Sequence, residues 1–87
     1  DKGDVLIAIS SSGNSKNILN AVDAAKRVGF GTVITFSGMN VENSLSKLGD
    51  INFWVDSNAY NIVECIHMIW LTTVIDVVVG KAVYEVS

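Results

Sequence analysis

The chain has 87 residues, room for one small domain, and a chain this short buries only about 60–65% of the surface its unfolded form exposes. Hydrophobic residues make up 49% of it and charged residues 17%, so part of that apolar surface is expected to meet further chain or another subunit. A net charge of −3 without a Lys/Arg cluster argues against nucleic acid as a partner, and Cys65, the one cysteine, excludes an intrachain disulfide and fits a reducing cytoplasm.

Residues 5–9, Val-Leu-Ile-Ala-Ile, form an unbroken apolar run that predicts a parallel strand buried on both faces. Residues 10–15, Ser-Ser-Ser-Gly-Asn-Ser, make a hydroxyl-rich turn. Residues 16–28 follow with helical periodicity: Ile18, Val22 and Ala25 lie on one stripe, and Gly29 is placed to end the helix in left-handed geometry. Residues 32–36 are a β-branched strand between Gly31 and Gly38. Residues 41–48 are expected to form a short helix ending at Gly49. Residues 51–55 alternate enough to suggest a third strand near the sheet edge. Asp56, Ser57 and Asn58 then cap a last helix over residues 59–79, which Gly80 stops. Val74, Ile75 and residues 77–79 favour strand by propensity, but a strand of about 20 residues lies far outside the usual range.

Strands and helices in alternation predict an α/β fold, a doubly wound parallel sheet with three strands, three helices and right-handed crossovers. Three strands alone leave two open edges and part of one face bare. The chain therefore reads as an incomplete part of such a domain, in keeping with a first residue other than Met directly before a core strand. Residues 62–79 match the lower length limit of a membrane span. Glu64, His67 and Asp76 lie inside that run, and each carboxylate would cost about 2.5–3.5 kcal/mol at such depth. A buried helix in an oligomer is the better reading.

A strand that ends in a hydroxyl-rich turn and feeds a helix gathers O–H groups and free backbone N–H groups at the helix N-terminus, which is a ready anion site. Ligands of open parallel sheets sit beyond the carboxyl ends of the strands, where residues 10–15 fall. Ser10, Ser11, Ser12 and Ser15 each bring a rotatable hydroxyl, Gly13 permits close backbone approach, and Asn14 tolerates left-handed or capping geometry. An ordinary turn also uses Ser, Gly and Asn; four serines in six positions raise this one above that. The Gly-Lys-Ser/Thr ending of a nucleotide P-loop is missing, and so is its first glycine. On the last helix Asn61, Glu64 and His67 recur at three-residue steps on one side, with Glu64 about 9 Å and His67 about 13 Å along the axis. Glu and His are the chemical types an aldose–ketose isomerisation needs for moving protons. A single His on an apolar helix also serves as a hydrogen-bonded core residue, with Glu64 as its partner. Ser37-Gly38 forms a second small turn at the same sheet edge, either an ordinary loop or a contact to a sugar hydroxyl.

Residues 3–18, and above all Ser10-Ser11-Ser12-Gly13-Asn14-Ser15 after Ile7-Ala8-Ile9, resemble the phosphosugar-binding loop of the SIS (sugar isomerase) family, in wording nearest to its phosphoheptose isomerase branch. The resemblance covers nearly the whole chain and matches the C-terminal part of a single SIS domain, whose N-terminal helices and first strand would precede it. It implies that Ser10, Ser11, Ser12 and Ser15 contact a substrate phosphate while Gly13 and Asn14 shape the loop. It also implies a sugar phosphate, a seven-carbon ketose phosphate, isomerised for lipopolysaccharide or capsule synthesis by a cytoplasmic homo-oligomer, dimer or tetramer, with active sites at subunit contacts. The family carries Ile-Gln-Glu-x-His on the last helix, with a second His further on. Here Val63 replaces the Gln, His67 falls three residues after Glu64 rather than two, and Leu71 or Thr72 holds the second His position. Glu64 and His67 are the catalytic candidates within the chain, and the family's catalytic glutamate lies on an upstream helix. Zinc occurs in some members, but the altered Glu/His pattern lowers that expectation, so no cofactor is assigned. The same departures suit an alternative, a regulatory or scaffolding SIS protein that binds a phosphosugar without turnover.

Overall fold

A computed structural model of the chain describes residues 3–79. They form strands β1 (Val5–Ile9), β2 (Thr32–Gly38) and β3 (Ile51–Val55), helices α1 (Lys16–Arg27) and α2 (Tyr60–Val79), and a 3₁₀ turn at Leu45–Lys47. Gly80, expected to stop the last helix, lies outside the described residues. The sheet is parallel in the order β1-β2-β3, an α/β architecture consistent with part of an SIS-type domain.

Side chains alternate across a strand, so each strand feeds both layers. On one face Ala8 and Val33 meet Val22 of α1 and Leu45 of the 3₁₀ turn, with Leu6, Ile18, Leu19 and Leu48 packed around them. The opposite face supplies Phe36 and Phe53, whose rings stack at 4.8 Å and carry His67 and Trp70 of α2 above them. Helices thus cover both faces of the sheet, as the alternation of elements predicts.

Helix α1 is amphipathic, burying Val22 and Ala25 and exposing an Asp23–Arg27 ion pair at 3.1 Å. Such an exposed i,i+4 pair contributes only a few tenths of a kcal/mol. The C-terminal end is a Schellman motif: Gly29, at φ +86°, donates its N–H to Lys26 O, and Phe30 donates to Ala25 O at 3.0 Å. Gly29 terminates the helix as the sequence anticipates.

Two expectations need correction. The first strand is not buried on both faces: Val5, Ile7 and Ile9 remain 54, 44 and 40% exposed. The reason is topological. Strand β1 is an edge strand, and α2 lies over β2 and β3, so one face of β1 stays bare. The predicted helix over residues 41–48 is reduced to the 3₁₀ turn. Asn40 Oδ1 accepts the Glu42 N–H and Asn43 Oδ1 accepts the Ser46 N–H, so side chains take partners that a helix would supply from its backbone. Met39 at φ +61° closes the segment off from β2.

Helix α2 begins where Ser57 Oγ accepts the Ala59 N–H at 3.2 Å, as the capping residues foretell. It turns Val63 and His67 to the sheet and exposes Ile62, Met68 and Ile69. Its near-uniform apolarity is what the sequence leads one to expect of a helix with surface on two sides to cover. Among the described residues no helix is long and apolar enough to cross a membrane.

Candidate functional site: the serine loop and its neighbours on α2

Ser10 continues the β1–β2 ladder, donating its N–H to Phe36 O at 3.0 Å. The chain then folds back on itself. Both the carbonyl and the hydroxyl of Ser10 accept the Gly13 N–H, each at 3.1 Å, and Ser12 Oγ accepts the Asn14 N–H at 3.2 Å. A hydroxyl that accepts in this way keeps its own proton free to donate outward. The left-handed residue is Gly13, at φ +71°, not Asn14. Asn14 instead pins the loop to the segment after β2, its Oδ1 accepting the Ser44 N–H at 3.1 Å.

Ser15 is the N-cap of α1 in extended geometry, and its side chain does not cap the helix. No acidic residue sits in the first turn. The first-turn N–H groups thus lack the usual side-chain acceptor, and the partial positive charge of a 12-residue helix is left uncompensated. Lys16 is exposed in that same turn. Hydroxyls, first-turn amides and a helix N-terminus thus occur together in residues 10–16, a combination that suits a phosphate monoester.

Helix α2 brings the remaining candidates to the same end of the sheet. His67 is 3% exposed and shares a hydrogen bond with the Ser37 carbonyl through Nε2 at 2.8 Å. A carbonyl only accepts, so in the neutral ring Nε2 carries the hydrogen and Nδ1 holds the lone pair. Nδ1 is buried and without a partner among the described residues. Phe36 meets the imidazole edge-on, with centroids 5.7 Å apart. Ser10 binds the Phe36 carbonyl and His67 the next one along β2. Glu64 and His67 line a cavity of about 120 Å³ together with Ile9, the last residue of β1. Glu64 is exposed, and so is Asn61.

Ser37 and Gly38, expected as a turn, are instead the buried last residues of β2, paired with Trp54 and Val55 of β3, so the structure does not support a contact to a sugar hydroxyl. Ser37 Oγ accepts from Asn43 Nδ2. Gly38 lies so close to Val63 that a Cβ there would come within 2.6 Å of the valine. Val63, at the position of the family's Gln, is thus a core residue. Among the described residues no three His, Cys, Asp or Glu side chains stand close enough to hold a metal.

Sequence reasoning missed Asn43, which is 2% exposed and bonded through Nδ2 to Ser37 and Gly38 of β2 and to Asn40. The signal lay in Asn40, Asn43 and Ser46 at three-residue steps, residue types that bond to their own backbone in preference to helix.

An α/β sheet with a hydroxyl-rich loop at the carboxyl end of a strand is the class of protein these observations define. No protein-family model matches the chain. It is similar to a probable phosphoheptose isomerase from Thermoplasma acidophilum, 39% identical over 66 residues that cover 76% of this chain and 35% of the relative. It is 36% identical over 77 residues to the phosphoheptose isomerase of Aliarcobacter butzleri, covering 88% and 40%. With that of Histophilus somni it shares 48% over 54 residues, covering 62% and 27%. The chain spans about a third of the length of these curated relatives.

Proposed function

We propose that the chain is the phosphosugar-binding, C-terminal part of a single SIS domain in a sugar-phosphate isomerase of the phosphoheptose type. The observation that carries this reading is the uncapped start of α1 behind the serine loop, in a chain similar to several phosphoheptose isomerases. Ser10, Ser11, Ser12 and Ser15 hold the substrate phosphate, and Glu64 and His67 serve the proton transfers of an aldose–ketose isomerisation, with Nδ1 as the nitrogen free to take a proton. The bare face of β1 and the apolar outer side of α2 support a larger cytoplasmic assembly, a homo-oligomer in which further chain or another subunit covers them. A seven-carbon ketose phosphate on the way to lipopolysaccharide or capsule is the substrate this reading implies.

A second reading is binding without turnover, for regulation or scaffolding. It draws on Val63, which packs where the family carries an amide, and on the deep burial of His67. The test is to incubate the full-length protein with sedoheptulose 7-phosphate and follow both product and thermal stability. Turnover that His67→Ala abolishes supports the isomerase. Stabilisation without product supports the binding protein.

The double substitution Ser10→Ala, Ser15→Ala is expected to weaken sugar-phosphate binding at least about a hundredfold, since each hydrogen bond to a charged group contributes about 1.5–3 kcal/mol. Isothermal titration of both proteins reads this directly. An unchanged affinity would remove the serine loop from the site and leave the chain a structural role only.

A further inference from the structure

We propose that Asn43 is a positioning residue for the serine loop, the support against which Gly13 rests and the link that ties the loop to the His67 side of the site; this rests on the phosphate reading given above.

The Asn43 side chain is fully engaged. The two hydrogens of its Nδ2 serve three acceptors, Asn40 O at 2.8 Å, Gly38 O at 3.1 Å and Ser37 Oγ at 3.2 Å, one hydrogen being shared, and its Oδ1 accepts the Ser46 N–H at 2.9 Å. Held this way it cannot rotate aside. Gly13 lies directly on it: a Cβ at Gly13 would collide with Oδ1, Cγ and Cβ of Asn43. The next two residues complete the contact, Ser44 donating its N–H to Asn14 Oδ1 and Leu45 donating to Gly13 O at 2.9 Å. Three consecutive residues, 43–45, therefore set the position of residues 13 and 14, and with them the direction of the Ser12 hydroxyl and the first amides of α1.

Asn43 also reaches the other half of the site. Ser37 accepts from Asn43 through its hydroxyl and from His67 through its carbonyl. One buried residue of β2 thus joins the loop's support to the imidazole. Neither Asn43 nor Ser37 is in a position to touch a ligand, since both are buried beneath the loop. Their contribution is preorganisation: a loop already fixed in its binding shape loses less freedom when an anion arrives.

The test is a double-mutant cycle on the full-length protein, with inorganic phosphate as the probe and calorimetric affinity as the readout, each variant checked for folding by circular dichroism. Asn43→Ala is expected to weaken phosphate about tenfold in folded protein. Gly13→Ala should weaken it strongly in the unaltered background and less in the Asn43→Ala background, because the two closest contacts of the added methyl, Asn43 Oδ1 and Cγ, are gone while the one to Cβ stays. Independent effects of the two substitutions, or unchanged affinity in Asn43→Ala, would overturn the inference. Hydrogen exchange of the unaltered protein gives a readout that needs no variant. Phosphate should slow exchange at the Ser44 and Leu45 amides, which it does not touch, and unaltered exchange there counts against the proposal. Failure of the unaltered protein to bind phosphate in the first titration overturns the phosphate reading itself.

Discussion

Gly13→Ala is expected to destabilise the fold by about 2–4 kcal/mol and to weaken anion binding strongly. Two independent costs add. At φ +71° an L residue is strained, at about 1 kcal/mol or somewhat more. The methyl would also drive into the Asn43 side chain, which its hydrogen bonds hold in place, and overpacking of that kind costs about 1–3 kcal/mol. Gly29 is the internal control. It too has a positive φ, +86°, but nothing lies within 4 Å of a Cβ there, so Gly29→Ala should cost about 1 kcal/mol and leave ligand affinity alone. Urea unfolding of the two variants side by side, with a phosphate titration of each, separates backbone strain from packing. Equal losses in the two would disprove the packing contribution.

Phe36→Ala is expected to cost about 3–5 kcal/mol, the range for deleting a buried aromatic side chain. Phe36 sits on the central strand at 1% exposure and touches three other rings: Phe53 stacked at 4.8 Å, His67 edge-on at 5.7 Å and Trp70 at 6.5 Å. Its removal opens a hole beneath the imidazole, beside an apolar cavity of about 150 Å³ that Phe36 already lines. With one wall gone the hole left by the ring joins that space, which enlarges the cavity and places the cost toward the upper part of the range. Against a total stability of about 5–15 kcal/mol for a domain, much of the margin disappears. Phe36→Leu, which keeps most of the volume, should restore more than half of the loss. Denaturant midpoints of the three proteins check the order, and an alanine variant within about 1 kcal/mol of the parent would show that the aromatic cluster is not the core of the α2 layer.

How much of this was legible in the residues differs by element. The three strands and the two long helices follow from apolar periodicity and glycine placement, signals that are local and therefore survive reading in one dimension. Gly29 and the Ser57 cap are of the same kind. What periodicity cannot report is which strand lies at an edge. Residues 5–9 read as fully buried because their composition is that of a covered strand, while coverage depends on where α2 crosses the sheet. The segment after β2 misled for a different reason. Leu45 and Leu48 have helical spacing, but Asn40 and Asn43 compete for the backbone, and the partners of Asn43, Gly38 and Ser37, are set by tertiary contact. In the candidate site, the serines were visible as residue types at a strand end. The tie between Ser37, Asn43 and Gly13 was not, because it joins residues up to 30 positions apart through packing against the Asn43 side chain.

The locked far end of α1 has a consequence for its beginning. The Schellman bonds at Gly29 and Phe30 fix the rotational phase of the helix, and β1 together with the serine loop fixes where it starts. Its 12 residues act as a spacer of set length between two anchors. Deleting one residue from the exposed side would swing the opening amides by about 100° about the axis, aiming them away from the loop, with strand and turn sequence intact.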